Sequence, residues 1–366
     1  MPFDPPTLEG FAVTAIVAAV RVFVEASPSL LAGIIAAALL RTLATPERVA
    51  AMFKGTGWAG FRRTALIGMT APVCALGALP ILRELRRLGL PTPKLLILAF
   101  VTPLLNPVSL IGGLTTFPMP IFLLIVVAAV TIAAVATGLG GQFLLEPVET
   151  PEAPPRGLTS GTRLRNLLVA AGRIATGWTL LDLGLVIAAA AVAGSLLTAE
   201  SFDALCRPSN RVGAAGVGLL MLPQYVSPVS GIMYLAAAQK AGFSVAAGLT
   251  VFVVGIAFSP ATLLWAVRWF GWRRATALTL AVVVSAFAVV AVGGVLIPAP
   301  VSADPEGTHA FDNVTVPLRP QFSALGGAIS RALSLTAGMT VGGTAALAIL
   351  IVTGLAVRRM KLGYRD

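Results

Sequence analysis

Long apolar runs separated by short polar stretches dominate the chain, at about residues 8–43, 64–82, 95–116, 119–145, 166–198, 212–238, 243–267, 275–297 and 332–357. Most match the roughly 20 residues that a helix needs to cross about 30 Å of hydrocarbon. The pattern predicts an all-α, polytopic membrane protein with about eight to ten hydrophobic segments. Residues 8–43 suffice either for one long tilted helix or for two helices broken at Ser27-Pro28. Residues 146–165, with Pro147, Pro151, Pro154 and Pro155, read as a cytoplasmic linker between halves. Residues 298–330, with Asp304, Glu306, His309 and Asp312, read as a solvated extracytoplasmic loop.

The run pattern repeats. Placing Gly89 over Gly242, an offset of 153, sets Asn106-Pro107 over Ser259-Pro260, Arg87 over Lys240, Cys74 over Ser227 and Leu110 over Leu263. Upstream, Phe23-Val24-Glu25 falls over Leu180-Leu181-Asp182 at an offset of 157. The matched positions include residue types that are rare in this chain: an acid inside an apolar run, a polar residue before proline, and a base shortly before glycine. The organisation expected is a first membrane repeat at 1–145, the linker at 146–165, a second repeat at 166–274, and a C-terminal helix pair at 275–366 that holds the 298–330 loop.

Composition narrows the class. Of 366 residues, 57% are hydrophobic and 11% charged, against about 25% charged in soluble domains, which excludes a soluble enzyme, a single-pass receptor and a disulfide scaffold. The net charge of +11 needs no nucleic-acid partner, because cationic residues collect at the cytoplasmic ends of spans and meet anionic headgroups. If residues 41–63, 83–94, 146–165, 268–274 and the C-terminal 358–366 are cytoplasmic, and 199–211, 298–330, Lys240 and Arg331 are outside, 19 basic residues lie inside and five outside, the bias that cytoplasmic loops carry. Both flanks of 64–82 are then on one side, so that stretch is expected to be a re-entrant hairpin, and 212–238 its counterpart from the other side. Two such halves make an inverted-topology repeat, an architecture that suits alternating access. The start of the chain has no basic residue before the first apolar run and does not fit a cleaved signal peptide.

The candidate chemistry sits where helices should break. Pro72-Val73-Cys74, Gly77 and Pro80 interrupt one apolar run, Pro103 to Pro107 another, and Pro223-Gln224-Tyr225-Val226-Ser227-Pro228 and Ser259-Pro260 their counterparts. Irregular backbone at membrane depth is tolerated only where protein buries it or where it lines a wet cavity. The substrate pathway is therefore expected at Pro72, Cys74, Gly77, Pro80, Asn106, Pro107, Gln224, Tyr225, Ser227, Ser259 and Pro260. Glu25 and Asp182 are costly in hydrocarbon and are candidates for proton coupling; Arg21, one helical turn before Glu25, is the alternative, structural partner for it. Asp182 has no base at helical spacing. Cys74 is either a soft ligand or a small hydrophobe. Trp265, Trp269 and Trp272, beside Arg268, Arg273 and Arg274, fit an interfacial belt. A metal site is not assigned, no cofactor is expected, and no serine, histidine and carboxylate stand at catalytic spacing.

Glu25, Pro72-Val73-Cys74, Gly77-Ala78-Leu79-Pro80, Arg86-Arg87-Leu88-Gly89-Leu90-Pro91 and Thr102-Pro103-Leu104-Leu105-Asn106-Pro107 together make the chain resemble the predicted-permease family that includes the organoarsenical efflux permeases. The resemblance covers most of the chain, more weakly in the second half. Family members often carry Cys-Ser-Cys where this chain has Cys74-Ala75-Leu76, which leaves one thiol and puts transport by thiolate pairs in doubt. The resemblance implies a non-enzymatic, multi-pass permease of the bacterial inner membrane that exports a small solute. Its partners are then the lipid bilayer and a small-molecule substrate, a homo-oligomer being compatible with such a chain. The alternative class is an intramembrane enzyme, or a non-transporting partner subunit that holds a lipid or small ligand.

Overall fold

A computed structural model describes residues 8–143, 163–197, 199–207, 212–297, 321–334 and 337–359. Most of the expected linker and of the 298–330 loop, with His309, lies outside the described residues. All regular elements among the described residues are helical. The first, α1 (Leu8–Leu43), is one unbroken helix of 36 residues with Pro28 inside it, so the single-helix alternative holds. Pro28 removes an amide from the ladder, and flanking hydroxyls bond back onto the turn. Ser27 Oγ donates to Phe23 O at 2.5 Å and Ser29 Oγ to Ala26 O at 3.2 Å.

After the short α2 (Pro46–Met52), α3 (Gly57–Met69) and α4 (Ala75–Arg87) form a hairpin of two 13-residue arms. Each arm reaches only about 20 Å, too short to cross about 30 Å of hydrocarbon. Next come α5 (Thr92–Leu104) and α6 (Pro107–Thr116), bent by 41°, and the 25-residue α7 (Met119–Phe143). The order then recurs. Helices α8 (Arg163–Ala175) and α9 (Trp178–Leu196) make one 34-residue apolar stretch. The short α10 (Ala199–Cys206) leads to a second hairpin, α11 (Gly213–Met221) and α12 (Pro228–Lys240). A pair bent by 50° follows, α13 (Val245–Ala257) and α14 (Pro260–Phe270), then the 25-residue α15 (Trp272–Leu296). Helices α16 (Leu325–Ser334) and α17 (Ala337–Arg359) end the described chain and pack on α1.

Four of these stretches, α1, α7, α8–α9 and α15, are long and apolar enough to cross a membrane, and the two bent pairs raise the number to six. The nine apolar runs thus become six span candidates, two hairpins and α17. The first hairpin extends further than hydropathy suggests, to 57–87, because its ends are polar, and the second spans 213–240. Helix α8 starts at Arg163, inside the stretch expected as linker. Helix α15, grouped from the sequence with the C-terminal region, packs against α7 and α13 and completes the second set.

The centre is built on α5 and α13. Burial is continuous from Leu95 to Leu104 and from Ala247 to Ala257, which explains why neither helix has a polar face. The two pack together, with the Phe100 and Phe258 rings 5.8 Å apart. Neighbours are exchanged between the sets: α4 packs on α5 and α14, and α12 on α13 and α6. The hairpins also end alike. Leu90 N donates to Leu85 O at 3.0 Å and Phe243 N to Ala238 O at 2.9 Å. Gly89 (φ 83°) and Gly242 (φ 71°) supply the left-handed residue that closes this helix-terminating motif. The 153-residue offset is therefore repeated in the backbone.

Helices α1 and α4 touch backbone to backbone. A Cβ on Gly33 would lie 2.0 Å from Gly77 O, and one on Gly77 would lie 2.5 Å from Ser29 O. Gly33→Ala should lower stability by about 1–3 kcal/mol through overpacking, read as a lower unfolding midpoint of the purified protein. Gly138→Ala, where a Cβ meets nothing within 4 Å, should hold or raise that midpoint, since alanine is favoured over glycine inside a helix by about 1 kcal/mol.

Candidate functional site: a polar centre between capped helix breaks

Each break in the two hairpins and the two bent pairs opens a helix with the same device. Cys74 caps α4, Asn106 α6, Ser227 α12 and Ser259 α14. In every case the side chain accepts the amide three residues on: Gly77 N at 3.3 Å, Ser109 N at 2.8 Å, Ser230 N at 3.1 Å and Thr262 N at 3.1 Å. An uncapped amide in an apolar interior would cost on the order of 1–3 kcal/mol, so the side chain at each break is dictated by the backbone. Pro107, Pro228 and Pro260 follow as the first helical residue, where a missing N–H is harmless. Asn106 also ties the two breaks of the first set together, donating to Pro103 O at 2.9 Å and Val73 O at 3.4 Å.

Helix α1 carries one polar face past these breaks. Arg21, Glu25 and Ser29, spaced by one turn each, are all on it, and Arg21 and Glu25 are 1% and 5% exposed. Ser29 Oγ lies 3.0 Å from Cys74 Sγ, and Arg21 Nη2 donates to Gln224 Oε1 at 3.1 Å. Glu25 lies beside Ser227 and Ser230 at the start of α12. Tyr225 faces Cys74, Ser29 and Glu25. The anticipated residues Glu25, Cys74, Gln224, Tyr225 and Ser227 therefore meet at one buried centre, together with Arg21, Ser29 and Ser230. The one-turn ion pair on α1, the alternative reading of Glu25, does not close. Arg21 turns to Gln224, and Glu25 Oε2, Arg21 Nε and Arg21 Nη1 have no hydrogen-bond partner among the described residues.

The remaining anticipated residues have other places. Gly77 is the backbone contact with α1, Pro80 is buried inside α4, and Pro72 is exposed. Asn106 adjoins the first hairpin break through Val73, while Ser259 bonds Thr262 Oγ1 at 2.9 Å. Trp265 is buried against Trp269, with ring centroids 4.5 Å apart, and so is not part of an interfacial belt. Helix α14 turns that face toward its neighbours.

Asp182 lies elsewhere, in a cluster of charges at one end of the helices. Bases from distant parts of the chain reach it: Arg83 on α4, and Arg268 on α14 at 3.5 Å. Arg83 is followed by Glu84, which binds Arg41 at 2.6 Å and Arg87 at 3.1 Å. Arg86 lies over the Trp269 ring at 4.3 Å and Arg268 over Trp178 at 4.1 Å. This clasp holds the first hairpin to α1 on one side and to α9 and α14 on the other. Every base in it comes from a segment that the charge count assigned to one face.

The two hairpins and the two bent pairs lie within the body of a recognised sequence family. The model of the predicted permease family ArsP_1 matches residues 12–295. The chain belongs to the predicted permease family. No curated protein and no solved structure matches it. The matched span covers both sets of helices, both hairpins and the whole polar centre of this permease, and stops before α16 and α17.

Both cysteines of the permease are free and buried. Cys206, at the end of α10, gives its carbonyl to Ser244 N at 2.8 Å. Burial, with the Asp203 carboxylate nearby, pushes the Cys206 thiol well above the ordinary range, so it stays protonated at neutral pH and lacks the nucleophilic thiolate. The folded protein in detergent at pH 7.5 should leave Cys206 unmodified by maleimide, and denaturation should expose it. Modification of Cys206 in the native protein at the denatured rate would contradict that environment.

Proposed function

We propose that this permease moves a small solute by alternating access along a path through the polar centre, and that it does so as an exporter in the bacterial inner membrane. The observation that carries the reading is the convergence of both hairpin breaks on one polar face of α1. Cys74 at the first break and Gln224, Tyr225 and Ser227 at the second meet Glu25 and Ser29 within the apolar body. Capped, broken helices present amides and hydroxyls to a ligand without unravelling, as transport sites near the bilayer midplane require.

Inverted topology follows from parity in this reading. Each set holds one long helix, one non-crossing hairpin, one bent span and a second long helix, hence an odd number of crossings, so the second set starts on the opposite face. The concentration of basic residues around the clasp then assigns that end, and the C-terminus, to the cytoplasm. The charge clasp is the gate at that end: Arg83–Asp182–Arg268 must open for the first hairpin to part from α9 and α14. Glu25 in the centre and Asp182 in the gate are the two carboxylates through which a proton gradient would act. Cys74, the single thiol at the centre, suits a solute with one thiol-reactive valence, such as a methylated arsenical, or another small soft solute.

Purified protein in sealed vesicles should release or accumulate solute without any other component. Cells making it should differ from cells making Cys74→Ser across a panel of arsenicals, metals and oxyanions, and equal sensitivity to every compound would remove the soft-ligand part of the reading. Asp182→Asn leaves Arg83 and Arg268 without their counter-charge, and breaking a pair that is this buried on one side should slow flux by about tenfold or more. An unchanged flux in Asp182→Asn would remove Asp182 from both the gate and the coupling.

A further inference from the structure

The polar centre holds two opposite charges that do not neutralise each other by contact. Arg21 and Glu25 sit on the same face of α1, both deeply buried, yet Arg21 spends only Nη2 on Gln224. Its Nε and Nη1, together with Glu25 Oε2, have no hydrogen-bond partner among the described residues. A buried guanidinium with two open N–H directions is poorly matched to a structural role, since each unmet donor costs free energy in an apolar interior. It is well matched to planar recognition of an oxyanion, where fixed N–H groups meet two oxygens.

Charge balance adds a second requirement. Whenever Glu25 is ionised the centre, with Arg21 cationic, is neutral, and a bound monoanion would leave one uncompensated negative charge in a low-dielectric interior. Such a charge is tolerated only if it is paired or removed. The groups that face Glu25 limit how it is removed. On its own helix there is Arg21, and from α12 come the Ser227 backbone and the Ser230 side chain. Tyr225, next to Glu25, and Cys74 complete the titratable groups at the centre. Helices α4, α8, α9, α16 and α17 also pack on α1, and among the described residues none adds a further charged side chain to those acting on Glu25. Glu25 is the one site there that changes from charged to neutral by gaining a proton.

We infer that the ligand of this centre is a small organic monoanion with an oxyanion head, held by Arg21, and that each anion enters with one proton taken up by Glu25. The balance is simple. The anion and the proton arrive from the same compartment, Arg21 stays cationic throughout, the carboxylate becomes a carboxylic acid, and the total charge of the centre is unchanged. Release on the other face returns both, so the cycle is electroneutral. Gln224 is the gatekeeper of the guanidinium, because its Oε1 occupies the donor that a two-oxygen ligand would share. The inference rests on the permease reading for movement across the membrane, with no direction assigned, but not for binding itself.

The test uses the purified full chain and a panel of benzoate, acetate, methylphosphonate and methanesulfonate, with benzamide and acetamide as neutral counterparts. Calorimetry in two buffers of different protonation enthalpy reads both affinity and proton uptake. At least one oxyanion should bind with one proton per anion, and the neutral amides should not. Arg21→Gln should weaken anion binding by about tenfold or more, while Arg21→Lys, which keeps the charge, retains part of it. Glu25→Gln, neutral by construction, should bind the anion with no proton uptake. Absence of binding by all four anions, binding unaffected in a folded Arg21→Gln, or binding without proton uptake in the unsubstituted protein would overturn the inference. The two readings separate in sealed vesicles. Anion binding with proton uptake but no flux would remove the permease reading and leave this one. Flux of a neutral solute, equal in Arg21→Gln, would do the reverse.

Discussion

A backbone amide in hydrocarbon must find an acceptor, and four interruptions of the helices, at the two hairpins and the two bent pairs, are each closed by a side chain. Everything else depends on how those interruptions are closed. Cys74, Asn106, Ser227 and Ser259 each turn a side chain onto the third amide of the helix that follows. With the amides satisfied, the chain can stop and restart in the protein interior without exposing an open helix end to lipid. The hairpins can then stay short, and their tips can meet α1.

The first helix is the wall on which the two sets converge. Its glycine at position 33 lets α4 approach until backbone meets backbone, and its polar face passes both hairpin breaks. The two hairpins are not held equally. The first is fastened by Arg83, Glu84 and Arg86 to α9, α1 and α14, whereas the base at the matching end of the second, Lys240, is exposed. Among the described residues the ionic fastening is thus on the first hairpin and not on the second. Family membership places this asymmetry in a predicted permease.

The legible part of this structure was the part where backbone geometry selects residue type. Gly89 and Gly242 stand out because a left-handed residue is needed there, and Asn106-Pro107 and Ser259-Pro260 because a cap followed by proline starts a helix. Those constraints leave marks at a fixed offset whatever the surrounding Ala and Leu do. Pro28 left a mark that did not decide, since a proline inside an apolar run fits a kinked helix as well as a broken one. Ser29 and Arg21 could have been found from their one-turn spacing with Glu25, a stripe of polar residues on an otherwise apolar helix. The partners of Asp182 were out of reach: Arg83 is 99 positions away and Arg268 is 86, and an ion pair between separate helices has no period in the sequence. Trp265 looked like its exposed neighbour Trp272 because composition does not record which way a short helix faces.

The fastening around Asp182 has its arginines at the edge of the body, Arg83 and Arg268 being 19% and 29% exposed, while the carboxylate is 1% exposed. Dissolved electrolyte reaches the cationic half of such a bond and weakens it, whereas the capped breaks rest on short-range hydrogen bonds that salt screens far less. One molecule therefore contains a joint that responds strongly to the ionic medium and joints that respond weakly.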